Sequence, residues 1–373
     1  MNIELIDTPD EDEYGCLSQN LKDHGTEPFY LSTAIAYTNG FPHIGHAYEF
    51  LSADALVRFH RVLGFNCFFL TGTDEHGQKV ANSAESAGIL PIDHCNGYVK
   101  AFKDLDRRLK VRYSDFLRTT SPHHVLTSQA LWKRCSLADD IYLSSYEGWY
   151  SEREEVFVSD ADAEASGFKD VGSGLPLKRV TEDSYFFRMS KYVERLIHWI
   201  EHDKPDCIQP ELHRQNILGR LKKEGLRDLS ISRTSFSWGI PVPEGFDQRH
   251  VMVIILTYLF LLILFTKYVW FDALSNYLSG VHALDVDIDG TTHELSHFWP
   301  AQRHLIGKDI VWFHCVIWPC MLMSAGLPLP EVVFCHGFVN ASDGRKMSKS
   351  YNNAIDPNKV NKVVIFYVFV LEV

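Results

Sequence analysis

No C-x-x-C pair occurs among the eight cysteines at positions 16, 67, 95, 135, 207, 315, 320 and 335. Neither a zinc knuckle nor a disulfide framework is therefore supported, and scattered thiols of this kind suit a reducing compartment. Positive charge is in deficit as well. Lys+Arg number 36 against 48 Asp+Glu, a net charge of −12, which gives no global attraction to nucleic acid. A nucleic-acid partner thus needs a local basic face. Arg107, Arg108, Lys110 and Arg112 form one candidate, and Arg214, Arg220, Lys222, Lys223 and Arg227 another. Each is read first as a solvated helix face. The longest apolar run, residues 251–265 (VMVIILTYLFLLILF), falls short of the roughly 18–20 residues a membrane helix needs and is enclosed by polar sequence, so no membrane role is expected. Residues 1–15 are acidic and contain no arginine, unlike a signal or transit peptide, so a cytoplasmic setting is expected.

What is present is ordinary for a globular chain. Hydrophobic residues make up 46% and charged residues 23% of 373 residues, enough for one large core or two to three smaller ones. Residues 1–27 read as a polar tail. Residues 29–35 then read as a buried strand, 37–43 as a loop, 46–62 as a helix and 66–71 as a second strand. That βαβ beginning predicts an α/β fold with a parallel sheet and ligands at the carboxyl ends of its strands. The rhythm breaks across residues 142–235, which read as an insertion dividing the sheet, and resumes with a strand at 304–306, a helix at 309–323 and a strand at 332–336. The expected organisation is a first half at 28–141, the insertion at 142–235, a second half at 236–345 and a terminal region at 346–373.

Two clusters carry chemistry. In Pro42-His43-Ile44-Gly45-His46 a loop enters a helix, whose N-terminus offers unpaired N–H groups suited to phosphate. Gly45 leaves room for a flat base or ribose, and His43 and His46 can donate to phosphate oxygens as charge builds on them. In Lys346-Met347-Ser348-Lys349-Ser350, after Asp343-Gly344, two lysines on a glycine-anchored loop can clamp a triphosphate. Singly, these are a pair of helix-start histidines and an exposed basic turn.

Together, H-I-G-H near the start and K-M-S-K-S near the end resemble class I aminoacyl-tRNA synthetases. Residues 34–40 (AIAYTNG), 69–77 (FLTGTDEHG), 238–243 (WGIPVP), 268–277 (YVWFDALSNY) and 306–314 (IGKDIVWFH) are similar to methionyl-tRNA synthetases in particular. The resemblance runs from about residue 28 to residue 360 and is weakest in the insertion. It implies a class I synthetase Rossmann-like parallel sheet split by a connective-peptide insertion. The implied activity joins L-methionine and ATP, accompanied by Mg2+, into methionyl-adenylate, then passes methionine to tRNA(Met); no DNA partner is implied.

By the same resemblance, Ile35, Tyr37, Trp270, Ala273, Leu274, Tyr277 and Ile310 line the methionine pocket, with His314 near the sulfur and Asp74 on the α-amino group. His43, Gly45, His46, Gly307, Asp309, Lys346, Ser348 and Lys349 contact ATP, and His43, His46, Lys346 and Lys349 are catalytic. The chemistry of the residues agrees, since a polarizable thioether suits the aromatic faces of Tyr37, Trp270 and Tyr277. Taken singly, each aromatic reads first as a core residue, and the alternative reading of Asp309 is a helix N-cap.

The sequence departs from the resemblance in several places. Leu274 stands where some relatives have proline. Residues 148–158 (GWYSEREEVFV) carry serine, glutamate and valine where many relatives have zinc-binding cysteine pairs, so a zinc-free form with no metal ligand is expected. Residues 253–267 look surplus. Residues 361–373 form a hydrophobic string where relatives continue into a helical anticodon-binding bundle, so the chain is expected to be C-terminally truncated. Both stretches read as translated non-coding sequence, such as unspliced introns. Rival readings are a synthetase for leucine, isoleucine or valine, whose editing insertion usually exceeds the space available; a nucleotidylyltransferase or non-catalytic tRNA-binding relative; and a membrane-anchored protein.

Overall fold

The computed structural model describes residues 27–151, 156–158, 160–171, 173–234, 237–252, 271–285, 292–337, 339 and 357. Strands β1 (Pro28–Thr33) and β2 (Ala36–Tyr37) precede helix α1 (Ile44–Val62); β3 (Asn66–Asp74), α2 (Gln78–Ser86), α3 (Pro91–Leu109), β4 (Asp115–Arg118) and α4 (Pro122–Leu137) follow. The middle of the chain holds β5 (Ile141–Ser151), β6 (Val156–Val158), α5 (Asp160–Ala165), β7 (Lys178–Phe187), α6 (Val193–His198), β8 (Ile208–Gln209) and α7 (Glu211–Glu224). Short strands β9 (Leu229–Ser230), β10 (Ser232–Arg233), β11 (Ile240–Pro241) and β12 (Val251–Met252) come next. Then come α8 (Phe271–Ser279), β13 (Arg303–Gly307), α9 (Trp318–Ala325) and β14 (Val333–His336).

The main sheet runs β2-β3-β1-β13-β14-β8, with β4 paired to β3, and every pairing is parallel. Its strands alternate between two buried faces. Phe29 and Leu31 of β1, Cys67 and Phe69 of β3 and Leu305 of β13 enter one core with Phe50, Val57 and Phe102. Tyr30, Phe68, Leu70 and Ile306 enter a second, larger core with α4, α8 and α9. Cover on both faces is what a parallel sheet requires, and it explains the near-continuous apolar strands. On α1 the buried positions are Ala47, Phe50, Ala53, Asp54 and Val57, a stripe at helical spacing. Truncating Phe50, 1% exposed, would cost about 3–5 kcal/mol.

Two sequence expectations need adjustment. Residues 142–235 are not wholly outside the sheet: β5, β6, β7 and β9 form a separate antiparallel sheet, but β8 returns to the main sheet as a parallel edge strand beside β14. A two-residue strand is too short to leave a periodic signal. The helix expected at 309–323 is a 3₁₀ turn (Lys308–Ile310), a π-helical stretch (Phe313–Ile317) and α9. Pro319 lacks an N–H and crowds the carbonyl four residues back, which loosens the ladder at that point. The basic runs are also partly neutralised, with Arg107 on Asp104 at 2.6 Å, Arg214 on Glu211 at 2.9 Å, Arg220 on Glu224 at 3.0 Å and Lys222 on Glu201 at 2.5 Å.

Among the described residues, no helix is long and apolar enough to cross a membrane. The surplus run 253–267, Trp270, and Lys346, Ser348 and Lys349 lie outside the described residues.

Candidate active site

Strands β1, β3, β13 and β14 end at Thr33, Asp74, Gly307 and His336, and the expected site residues that are described lie at or near these ends. His43 is the N-cap of α1. Its Nδ1 accepts from the Gly45 N–H at 3.1 Å, while His46 Nδ1 accepts from the His43 N–H at 3.1 Å. Accepting at Nδ1 puts the remaining imidazole proton on Nε2 of both rings, so each presents an Nε2–H donor. The rings stack at 3.9 Å, and His46 rests against the edge of Phe102 at 5.0 Å. Gly45 answers to this arrangement: a Cβ there would lie 2.9 Å from His43 Cε1. The room expected for a base or ribose is therefore first of all the room taken by the His43 ring.

Opposite this cap, β13 ends in Gly307 and turns into the 3₁₀ turn holding Asp309. Gly307, not Asp309, is the cap residue of that turn. A Cβ on Gly307 would meet Asp309 Oδ1 at 2.9 Å, so glycine lets the carboxylate fold back over the strand end. His336, at the end of β14, binds Glu49 of α1 at 3.0 Å and packs on Tyr48 at 5.3 Å. Burial opposes charge on His336, but Glu49 and Asp309 outweigh it and raise its pKa; Glu49 is itself raised, chiefly by burial. This tie between α1 and β14 was not anticipated from the sequence.

Ala273, Leu274 and Tyr277 are buried on α8. Tyr277 Oη lies 2.6 Å from His314 Nε2, and His314 Nδ1 faces the Ile310 carbonyl at 3.0 Å. The carbonyl requires an Nδ1–H, so Tyr277 donates to Nε2. Burial lowers the His314 pKa to about 4 and raises that of Tyr277, so both are neutral. Their polar ends satisfy each other, leaving ring faces and edges to their surroundings. His304 of β13 lies beside them, 4.2 Å from the Tyr277 ring, with Nδ1 2.6 Å from Ser32 Oγ. Burial holds it neutral too. Its place beside Tyr277 was missed, because a lone histidine in a strand reads as core.

Asp74 ends β3, 3% exposed, with Tyr37 of β2 as its register partner; Ile35 lies between β1 and β2. Burial, then the nearby charge of Asp272, push the Asp74 pKa well above the ordinary carboxylate range. Asp272, on α8, is raised by burial against the pull of His76, whose Nδ1 is 2.8 Å from it. Oδ1 of each carboxylate has no hydrogen-bond partner among the described residues. Two buried carboxyls in electrostatic contact are poised to take up a cation, which restores their ionisation. The intervening turn is fixed by Glu75, which receives Arg118 at 2.7 and 2.9 Å, Thr73 at 2.6 Å and Thr120 at 2.6 Å, while its carbonyl accepts from Trp238 Nε1 at 2.7 Å. The His76–Asp272 pair escaped sequence reading because its members are distant in the chain.

A parallel sheet with a histidine-capped helix at its carboxyl edge and an inserted antiparallel sheet is the catalytic architecture of class I aminoacyl-tRNA synthetases. Within that class the chain belongs to the family described as tRNA synthetases class I (M), whose model matches residues 29–167 and 173–367. It is 46% identical over 334 residues to a methionine–tRNA ligase of Rhizobium meliloti, a match covering 89% of this chain and 60% of that protein. A methionine–tRNA ligase of Halalkalibacterium halodurans is 44% identical over 338 residues, 88% of this chain and 48% of that one. The crystal structure of Mycobacterium tuberculosis methionyl-tRNA synthetase bound by methionyl-adenylate matches with a TM-score of 0.79 and 42% identity, covering 93% of this chain and 65% of that chain. The chain thus spans about 60% or less of the length of these curated relatives.

Proposed function

We propose that this chain activates L-methionine with ATP to methionyl-adenylate and pyrophosphate, and that methionine is then passed to tRNA(Met). The observation that carries the reading is the Tyr277–His314 pair, in which Tyr277 stands on α8 with Ala273 and Leu274, with α8 also bringing Asp272 into electrostatic contact with Asp74. An apolar wall whose polar ends are mutually satisfied suits a thioether, and a buried carboxyl pair beside it suits an α-ammonium. Ile35, Tyr37, Trp270 and Ile310 complete the proposed pocket.

ATP is taken up as its Mg2+ complex. Gly307 and Asp309 receive the ribose, with Asp309 accepting from its hydroxyls, while Gly45 and the Nε2–H groups of His43 and His46 face the phosphates. Lys346, Ser348 and Lys349 close over the triphosphate. The methionine carboxylate, already ionised, attacks the α-phosphorus in line, and the P–O bond to pyrophosphate breaks. No general base is needed, so catalysis rests on positioning and on stabilising charge that develops on the phosphates. Residues 148–158, which hold no cysteine, are read as zinc-free. A cytoplasmic setting accords with the seven described cysteines, all free and buried.

ATP–pyrophosphate exchange on the purified chain, with a panel of amino acids, tests the proposal. Exchange dependent on methionine is the expected result. Exchange with leucine, isoleucine or valine instead, or none with any amino acid, overturns it.

A further inference from the structure

Away from this site, the N-terminus of α4 meets the turn that follows α8. There His123, His282 and Asp285 place one nitrogen or carboxylate oxygen each within 4.8 Å of one another. Asp285 Oδ2 is the shared point: it accepts a hydrogen bond from the His282 Nδ1–H at 2.6 Å, a proton that an arriving cation displaces, and lies 3.6 Å from His123 Nδ1. His123 Nε2 lies 3.1 Å from the Ser279 carbonyl. Donation to that carbonyl fixes the proton on Nε2 and leaves Nδ1 with its lone pair turned toward Asp285, the outer-shell arrangement that orients metal-ligating histidines. The His123 and His282 rings stack at 4.0 Å, and His293 stacks on His282 at 3.9 Å. The three side chains are 31%, 29% and 34% exposed, open enough for an ion and a water to enter yet held in place by their packing.

We propose that His123 Nδ1, His282 Nδ1 and the Asp285 carboxylate form a binding site for a divalent cation of the zinc class. Two imidazole nitrogens and one carboxylate are a donor set that such ions accept, with water available for a fourth position. The sequence gives no hint of it, since His123 is far in the chain from His282 and Asp285. The bound ion staples the C-terminal end of α8 to the start of α4. Because α8 carries Ala273, Leu274 and Tyr277, the staple steadies the wall of the proposed pocket without touching substrate.

The test is titration of the chelator-treated full chain with Co2+ and Zn2+, followed by the visible spectrum of Co2+ and competition by Zn2+. The expected result is one saturable equivalent with ligand-field bands and no thiolate charge-transfer absorption, weakened by more than about tenfold in both His123→Gln and Asp285→Asn. X-ray absorption of the zinc-loaded wild type, which needs no variant, is expected to give nitrogen and oxygen neighbours only. Absence of saturable binding, thiolate absorption or sulfur neighbours, or unchanged affinity in either variant overturns the proposal.

Discussion

The Tyr277 hydroxyl donates to His314 Nε2 across 2.6 Å, while His314 Nδ1 is committed to the Ile310 carbonyl at 3.0 Å. The pair links α8 to the helical run after β13. Replacing Tyr277 with phenylalanine keeps the ring but removes the donor from a buried nitrogen, at a cost of about 1–3 kcal/mol in folding stability. A lower denaturant midpoint is expected, with the KM for methionine in pyrophosphate exchange rising more than kcat falls. An unchanged midpoint and KM would count against the pairing.

His43 combines a structural and a proposed catalytic duty, and the two are separable. Asparagine is among the best N-cap residues, so His43→Asn keeps an acceptor for the Gly45 N–H while losing the Nε2–H reach. The melting temperature is expected to stay near wild type, while kcat for exchange falls on the order of 10²-fold, as for the loss of one transition-state donor. Equal loss of stability and activity would mean that the residue serves only as a cap.

Asp74→Asn opposes stability to function. The carboxyl is buried beside Asp272 with its pKa raised, so an isosteric amide, which cannot ionise, introduces no buried charge. No fall in melting temperature at neutral pH is expected, but kcat/KM for methionine should drop by roughly 10²-fold or more, about 3 kcal/mol. Retained activity would remove Asp74 from α-amino recognition.

Asp106 on α3 gives a pH signature. Both its carboxylate oxygens lack hydrogen-bond partners among the described residues, and burial pushes its pKa up to about 8. The unfolded value is about 3.9, so between those limits the folded state holds the extra proton and stability falls as pH rises from about 4 to about 8. Asp106→Asn removes this term. Its stability advantage over wild type is expected to be smallest near pH 4 and to level off above pH 8, with a ceiling of about 6 kcal/mol from the size of the shift. A pH-independent difference in denaturant midpoint would contradict it.

The sequence made the parallel sheet legible because both faces of its strands are buried, giving the apolar runs at residues 29–35 and 66–71. The helix at His43–His46 was legible because its motif is local. What escaped is non-local or irregular. Glu49 with His336 and His76 with Asp272 each join distant stretches of common residue types. β8 is too short to show periodicity, and the π-helical stretch before Pro319 interrupts a pattern that otherwise reads as one helix. The direction of the Asp74 pKa shift depends on burial and on Asp272, neither of which is visible along the chain.

A crystal structure of the chain with methionine and a non-hydrolysable ATP analogue bears most directly on the proposed chemistry. The expected result is one triphosphate with its oxygens within about 3 Å of His43 or His46 Nε2 on one side and of the Lys346 or Lys349 ammonium on the other. An analogue bound away from the α1 cap, or lysines that reach no phosphate, would contradict a shared triphosphate site.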